Sequence, residues 1–386
     1  MIRALTRLAL VLAPAVLLVS ACSSDDGGSA PTATQPATPS VPVADTLETA
    51  TQPGPFSVGV TTVEMVDTSR PTAANGTFPG SDERRMTVEI WYPAVADGSN
   101  PDGRDVRLDS SAAPYPLIIF AHGYTASRVQ STSYTRHLAS HGYVVAAPDF
   151  PLTSSSAPGG PQFTDLVNQP RDVSFLIDQM LAFSADSANR LTGGIDGEHI
   201  GLTGHSLGGF TTLLAMYGPD ADPRIDAALP LSASGCFMTE TTVGDKDVPI
   251  MLMTGSEDLL VAPAGNRRAY DLANAPRYWV QLNGGGHVRF ADADIDDELV
   301  AGRVLARLRS EPATGAAAEG LAACTQAPAP SGAEKISLAR QQELLRTFAT
   351  PFFDAYLRES ESAKRFLQDQ LPELTSSAVQ YEFDAP

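Results

Sequence analysis

A serine lies between two glycines in the stretch GLTGHSLGGF, which runs from Gly201 to Phe210. The spacing Gly-x-Ser-x-Gly is typical of a turn that presents a nucleophilic serine, although so short a pattern also arises by chance in a glycine-rich chain. A serine hydroxyl attacks efficiently only when a neighbouring base removes its proton. Ser206 is therefore a candidate nucleophile that requires a base, an acid behind that base and donors for an oxyanion.

The base is expected on a loop that follows a later strand, and six histidines are available. His287, in NGGGHVRF, follows the predicted strand Tyr278 to Leu282, and the glycines before it suit a loop that reaches over a sheet edge. His205 adjoins the serine and is expected to point away from the serine's face. We therefore predict His287 as the general base.

The imidazole needs a carboxylate to fix its tautomer, and the order serine, acid, histidine places that acid between the other two. MTGSEDLL puts Asp258 just past the end of an apolar strand, and Asp258 is the predicted acid. Glu257 stays open as an alternative if the loop is turned by one residue. Asp226 begins its strand and so belongs to the opposite edge of the sheet.

An oxyanion hole needs two fixed N–H donors. One is expected from Leu207, the residue after the nucleophile, and the other from the loop that follows LIIFAHG. Tyr124 fits the second role, with His122 and Gly123 shaping the turn.

Strand and helix patterns alternate through the chain, which predicts an α/β fold with a mostly parallel, twisted sheet and helices on both faces. Ser206 falls between a predicted strand and a predicted helix, where a sharp turn lifts the hydroxyl above the sheet. One domain is expected over residues 56–386. The predicted strands are MTVEIWYPAV, YPLIIFA, YVVAA, HIGLTG, DAALPLSA, VPIMLMTG and RYWVQLNG, and the helices include PRDVSFLIDQML, GGFTTLLAMYG, NRRAYDLANA and SLARQQELLRTFATPFFDAYL.

Residues 1–21 have the layout of a secretory signal peptide, with two arginines before an apolar run of about 12 residues that is too short to span a bilayer. Small residues before Cys22 resemble the bacterial lipobox, which implies that Cys22 carries a lipid. The polar stretch Ser23 to Pro55, rich in Ser, Thr, Pro, Ala and Gly, predicts a disordered tether over 22–55. We thus expect an exported protein, lipid-anchored on the extracytoplasmic face of the membrane.

The formal charge of −19 and the lack of Lys or Arg runs argue against a nucleic-acid partner. The two remaining cysteines, Cys236 and Cys324, are expected to pair in an oxidising compartment. Residues 292–324 form a predicted helical insertion after His287 with an acidic start, which is a candidate lid. Its acidic residues suggest a helix N-terminus rather than a calcium loop, because the glycine of a calcium loop is missing, and no metal is expected.

The motifs VEIWYPA, PLIIFAHGY, SHGYVVAAPDFP, GLTGHSLGGFTT, GSEDLLVAP and GGGHVRFAD together resemble bacterial α/β-hydrolases related to dienelactone hydrolase and platelet-activating factor acetylhydrolase. The resemblance implies the α/β-hydrolase fold and a serine ester hydrolase with neither metal nor organic cofactor. Dienelactone hydrolase has cysteine at the position of Ser206. Similar bacterial polyester hydrolases carry an aromatic platform where this chain reads SASGCFM, with Phe237 as its only aromatic residue.

These features predict a carboxylic ester hydrolase at the cell envelope that works through a Ser-His-Asp triad on a small-molecule or lipid ester. Two other enzymes stay open, a short-acyl phospholipase and a polyester hydrolase. The competing class is a catalytically silent lipoprotein that uses the pocket only for binding.

Overall fold

The apolar runs of the sequence form one central sheet in the computed structural model, which describes residues 41–98, 100, 103–295, 297–310, 332–375 and 377–385. Strands that are apolar at every position need cover on both faces, as in α/β proteins. Within those residues the sheet has nine strands: β1 Ser57–Asp67, β2 Arg84–Ala94, β3 Tyr115–Ala121, β4 Val144–Pro148, β5 Ile195–His205, β6 Ile225–Leu231, β7 Ile250–Gly255, β8 Arg277–Leu282 and β9 Val379–Asp384.

The strands lie in the order β1-β2-β4-β3-β5-β6-β7-β8-β9. The six strands β4, β3, β5, β6, β7 and β8 are parallel to one another, whereas β1, β2 and β9 pair in an antiparallel sense. Parallel strands present their carboxyl ends at the same edge of the sheet, and loops at that edge commonly build the site of an α/β protein.

Helices connect the strands and cover the sheet. The described helices are α1 Leu47–Thr51, α2 Thr132–Ser140, α3 Gln169–Ala185, α4 Leu207–Tyr217, α5 Glu240–Val243, α6 Pro263–Leu272, α7 Asp297–Ser310, α8 Leu338–Leu357, α9 Glu361–Arg365 and α10 Leu371–Thr375, with short 3₁₀ turns at Phe163–Asn168 and Val288–Phe290 and a π turn at Phe366–Gln370.

Alternate residues of each central strand enter different layers of the core. In β3, Ile118 and Phe120 belong to one cluster with α2 and α8, while Leu117 and Ile119 belong to another with α3. A third cluster joins α4 and α6 to β6 and β7. Helices therefore pack on both faces, and the predicted α/β class is confirmed.

The edge strands β1 and β9 are absent from the sequence prediction. Each is partly exposed along its length, so its apolar pattern is weaker than that of the central strands. β1 pairs with β2 over its full length, and β9 pairs with β8. Their place at the margins means that neither alters the edge at which Ser206 was expected.

The predicted tether is wrong for residues 41–55, which pack on the domain. Ala44 donates its N–H to Asp354 Oδ2 at 2.6 Å, and the carbonyl of Gln52 bonds to His141 Nε2 at 3.0 Å. Ala44 and Ala50 are fully buried. A composition argument that counts only large apolar side chains misses this docking, because backbone hydrogen bonds and small buried side chains hold the segment. Residues 1–40 lie outside the described part of the chain.

In the part of the chain that the structure describes, none of the helices combines the length and the hydrophobicity needed to cross a bilayer.

Candidate active site

The strand β5 ends at His205, α4 begins at Leu207, and Ser206 forms the turn between them. Ser206 has φ 56° and ψ −116°, a conformation that is costly for a residue with a side chain. A Cβ on Gly208 would lie 1.9 Å from the carbonyl oxygen of Ala121, and one on Gly204 would lie 2.4 Å from that of Gly208. The two glycines are therefore required for this turn, as the sequence predicted.

His287 lies at the end of the loop after β8 and bonds through Nδ1 to Asp258 Oδ2 at 2.8 Å. Both side chains are buried. The other oxygen of Asp258 accepts the N–H groups of Leu260 and Val261, each at 2.8 Å, so the carboxylate is held on both sides. Glu257 instead accepts from Ser256 and Ala333. Of the two carboxylates that the sequence left open, Asp258 is the one bonded to the imidazole.

Four of the predicted residues line a single cavity of about 430 Å³ at the carboxyl edge of the sheet. They are Ser206, Leu207, His287 and Tyr124, and Asp258 lies behind His287. The first turn of α4 begins at this cavity, and the N-terminus of a helix favours negative charge. The arrangement can hold an ester carbonyl against the serine.

The loop after β3 is fixed by hydrogen bonds around Tyr124. Gly123 donates its N–H to Gln130 Oε1 at 2.6 Å, and Thr125 donates its N–H to the carbonyl of Thr153 at 2.9 Å. His122 bonds to the carbonyl of Gly123 through Nδ1, and its Nε2 accepts the N–H of Phe150. Burial lowers the pKa of His122, so the ring stays neutral while it shapes the turn.

His205 was expected to point away from the serine's face, and the structure shows that this expectation is wrong. Its ring lines the cavity, with its centroid 4.6 Å from that of His287. Nδ1 accepts from Gln130 Nε2 at 2.5 Å, and Nε2 donates to the carbonyl of His287 at 2.9 Å. Burial, and then the neighbouring His287, lower the pKa of His205 well below its ordinary value. Adjacency to Ser206 in the sequence therefore does not keep His205 out of the cavity, because the chain turns sharply at Ser206.

The cavity is mostly apolar. Apart from the phenol of Tyr124, the ionisable side chains among its described lining residues are the two histidines and Asp292. Asp292 accepts the backbone N–H and the hydroxyl of Ser133. No lysine or arginine of the described residues lines it. The apolar lining includes Tyr124, Phe163, Phe210, Leu260, Val261, Val288 and Ile295.

The helix α7 forms one wall of the cavity and belongs to the predicted insertion 292–324. Val300, Val304 and Leu308 are spaced by four residues, share one face of the helix and line the cavity. Residues 311–331 lie outside the described part of the chain. Two acidic residues at the start of the insertion accept backbone N–H groups, Asp292 from Ser133 and Asp297 from Val288. The described residues contain no cluster of groups suited to hold a metal ion.

Two further predictions concern the cysteines. Cys22 and Cys324 lie outside the described residues. Cys236 follows β6 at the carboxyl edge, and the adjacent Phe237 packs on Phe210 with the ring centroids 6.4 Å apart. Phe237 is not among the residues that line the cavity, so the described cavity draws its aromatic surface from Tyr124, Phe163 and Phe210.

Residues 108–308, just over half of the chain, match the family model described as PETase, PET hydrolase-like. This segment contains Ser206 with its turn, Asp258, His287 and most of α7. Its extent is enough to assign the family.

Curated relatives and a solved structure agree with that assignment. Chlorophyllase-1 of Arabidopsis thaliana is 29% identical over 143 residues, which are 36% of this chain and 41% of that protein. Cutinase est1 of Thermobifida alba is 29% identical over 220 residues (56% of this chain, 65% of the relative), and cutinase est2 of the same organism is 25% identical over 219 residues (56% and 64%). The chain thus spans less than two thirds of the length of these relatives.

A ferulic acid esterase from Streptomyces cinnamoneus superposes with a TM-score of 0.56 at 22% identity, covering 81% of this chain and 93% of that one. At this identity the likeness shows the fold alone. Together with the family match it establishes the α/β-hydrolase fold. The relation to dienelactone hydrolase and platelet-activating factor acetylhydrolase stays a prediction.

Proposed function

Since the chain belongs to the PET hydrolase-like family, we propose that it is a serine carboxylic ester hydrolase that works through an acyl-enzyme intermediate. The observation that carries the proposal is the bond between His287 and Asp258 behind a cavity that His287 shares with the strained Ser206. A module that only binds a ligand has no need of this combination. The cutinase relatives support the same class of reaction.

In the proposed reaction, Ser206 Oγ attacks the ester carbonyl carbon while His287 Nε2 takes the hydroxyl proton. Asp258 holds Nδ1 and stabilises the imidazolium. The N–H groups of Tyr124 and Leu207 stabilise the oxyanion. Collapse of the tetrahedral intermediate breaks the bond to the leaving oxygen, which receives the proton from His287. Water, deprotonated by His287, then attacks the acyl carbonyl carbon. Collapse of this second tetrahedral intermediate breaks the bond to Ser206 Oγ, which takes the proton back from His287, and the carboxylic acid leaves.

The substrate is proposed to be an uncharged ester with an apolar acyl group. A cavity of about 430 Å³ lies in the range of small-molecule sites, and its apolar walls stabilise a substrate by excluding water. The described lining offers no cation to pair with an anionic substrate, and Asp292 would repel one.

A panel of p-nitrophenyl esters from acetate to decanoate tests this proposal. We expect turnover with a burst of p-nitrophenol equal to the enzyme concentration, since acylation releases the alcohol first. If the protein binds these esters at one molecule per chain but hydrolyses none of them, the catalytically silent lipoprotein would be favoured instead.

A polyester hydrolase is the second candidate, and the match to the PET hydrolase-like model favours it. Release of soluble monomers from polyester film would support it. The matched control is the Ser206→Ala variant on the same film. The short-acyl phospholipase has no such observation in its favour and stays a prediction that acetyl-phospholipid turnover tests.

The site of action is proposed to be the outer face of the cell membrane, with a lipid on Cys22. The residues before Cys22, which resemble a lipobox, support this proposal. Fractionation of cells that express Cys22→Ser tests it, because this variant should be released or left unprocessed. Membrane attachment of a correctly cleaved Cys22→Ser protein would contradict the anchor.

A disulfide between Cys236 and Cys324 is also proposed. It would tie the end of the insertion to the edge of the sheet where Cys236 lies. Closing a loop of about 90 residues would stabilise the fold by roughly 4 to 5 kcal/mol in the chain-entropy model. Mass spectrometry of the unreduced protein tests the bridge, and two free thiols would overturn it.

A further inference from the structure

Side chains from three other elements hold the backbone of residues 286–288. Gln341 on α8 accepts the N–H of Gly286 at 3.0 Å and donates to its carbonyl at 2.8 Å. His205 on β5 donates to the carbonyl of His287 at 2.9 Å. Asp297 Oδ1 accepts the N–H of Val288 at 2.8 Å. The position of His287 is therefore set by partners outside its own loop.

Asp297 differs from the other two partners because it is the first residue of α7, the helix that walls the cavity. Its residue is 1% exposed, and its second carboxylate oxygen lies 3.5 Å from Arg289 Nη1. Burial raises the pKa of Asp297, against the bond from Val288 and the charges of His287 and Arg289, which lower it. An isolated buried carboxylate is costly, so its retention here needs these partners.

The close approach of Asp297 to the loop depends on a glycine. A Cβ on Gly286 would lie 1.9 Å from Asp297 Oδ2. Gly286 thus admits the carboxylate to the backbone immediately before His287. The glycines before His287 were expected to suit a loop that reaches over the sheet edge, and Gly286 in addition leaves room for Asp297.

The opposite end of α7 is also fixed. Arg307 Nη2 donates to the carbonyl of Pro161 at 2.5 Å, and the hydroxyl of Tyr124 donates to the same carbonyl at 3.2 Å. Val300 and Val304 lie between these two attachments, the bond of Asp297 and that of Arg307, and Leu308 follows Arg307 directly. In the described structure α7 is therefore held at both ends. A substitution at Asp297 is expected to affect the position of α7 and that of His287.

We propose that Asp297 is a positioning residue that joins the α7 wall to His287 and adds a second negative charge near the imidazole. The proposal rests on the proposed ester hydrolase function. The bond to Val288 fixes the backbone at the start of the 3₁₀ turn. The charge favours the imidazolium that forms when His287 takes the proton of Ser206.

Several charged or titratable groups lie around His287 and Asp297, and each bears on the effect of Asp297. Asp258 comes from the loop after β7, His205 from β5, and Asp297 from α7, while Arg289 lies on the same turn as His287. Arg289 opposes the charge of Asp297, and its second pairing is to Asp294 at 3.5 Å. Asp294 is 71% exposed, which makes it a matched acidic position outside the buried network.

The test compares Asp297→Ala, Asp297→Asn and the control Asp294→Asn with p-nitrophenyl butyrate. We expect kcat to fall about 10- to 100-fold in Asp297→Ala, because small misplacements of a catalytic group are costly. Asp297→Asn keeps an oxygen that can accept from Val288, so its loss should be smaller. Asp297→Asn removes the negative charge that favours the imidazolium formed in the reaction, so the acidic limb of the kcat/KM profile should move to lower pH. Asp294→Asn should behave as wild type.

The outcomes separate this inference from the proposed function. Wild-type protein that hydrolyses no ester refutes the proposed function. The inference alone is overturned if the wild type is active, both Asp297 variants have kcat within twofold of the wild-type value, and the acidic limb of the profile does not move. If Asp297→Ala fails to fold by circular dichroism, the decision falls on folded Asp297→Asn: a displaced acidic limb supports the inference, and a wild-type profile overturns it.

Discussion

His205 donates a hydrogen bond from Nε2 to the backbone carbonyl of His287, with the two rings 4.6 Å apart. Through Gln130 the same ring is linked to the N–H of Gly123. A continuous chain of hydrogen bonds therefore runs from the loop of Tyr124 to the loop of His287, passing beside Ser206.

Removal of Gln130 should slow catalysis without abolishing it. Gln130→Ala leaves a buried nitrogen of His205 and the N–H of Gly123 without their partner, and we expect kcat to fall about tenfold. Steady-state kinetics with p-nitrophenyl butyrate measure the effect. Gln380→Ala, at an exposed position on β9, is the control. Equal kcat in both variants would mean that the link between the loops is dispensable.

Ser206→Ala should lose nearly all turnover, by roughly 10⁴-fold or more, since the serine forms the covalent intermediate. The substitution removes one oxygen and leaves the turn in place, so the melting temperature should stay close to that of wild type. A fluorophosphonate probe should label the wild-type protein and fail to label the variant. Retention of a tenth of the activity would show that Ser206 is not the nucleophile.

Val304 on α7 should set the length of the acyl group. Val304→Trp fills the cavity and is expected to lower kcat/KM for octanoate about tenfold or more relative to acetate. Val304→Ala should shift the preference toward longer chains. Ala306→Trp places the same bulk on the exposed face of α7 and should leave the chain-length profile unchanged. A profile that moves as much in Ala306→Trp as in Val304→Trp would contradict the assignment of the wall.

Acid should destabilise the fold through buried neutral histidines. Burial, with help from His141 and Arg346, lowers the pKa of His137 to about 2. The unfolded chain binds this proton first as pH falls below about 6.5, so the stability is complete above that pH. Between pH 6.5 and pH 2, this histidine lowers the free energy of unfolding by up to about 1.4 kcal/mol for each unit by which the pH falls.

Denaturant midpoints between pH 8 and pH 5 measure that loss. His137→Asn should flatten the dependence, whereas His199→Gln, at a half-exposed position, should follow wild type. An unchanged slope in His137→Asn would place the acid sensitivity elsewhere.

The fold and most of the site were accessible from sequence because their signals are local. The buried central strands are apolar throughout, and Gly204 and Gly208 mark the turn at Ser206. The order of serine, acid and histidine then pointed to one sheet edge, where the structure brings Asp258 and His287 together.

The remainder depends on contacts between distant segments. Gln130 and Asp297 carry no motif, and their bonds to the site come from tertiary packing. Asp297 stood in the sequence as one of several acidic residues at a helix start. Its burial, its bond to Val288 and the space left by Gly286 distinguish it from exposed neighbours such as Asp294.

The docking of residues 41–55 on the domain shortens the linker that would join the domain to a lipid on Cys22. Only 19 residue steps separate Cys22 from Val41, the first described residue, against 33 to Pro55. At about 3.3 to 3.6 Å per extended residue, the reach is at most about 70 Å instead of nearly 120 Å. The anchored enzyme would then stay within that distance of the membrane surface, and an ester would have to come equally close to the membrane to be cleaved.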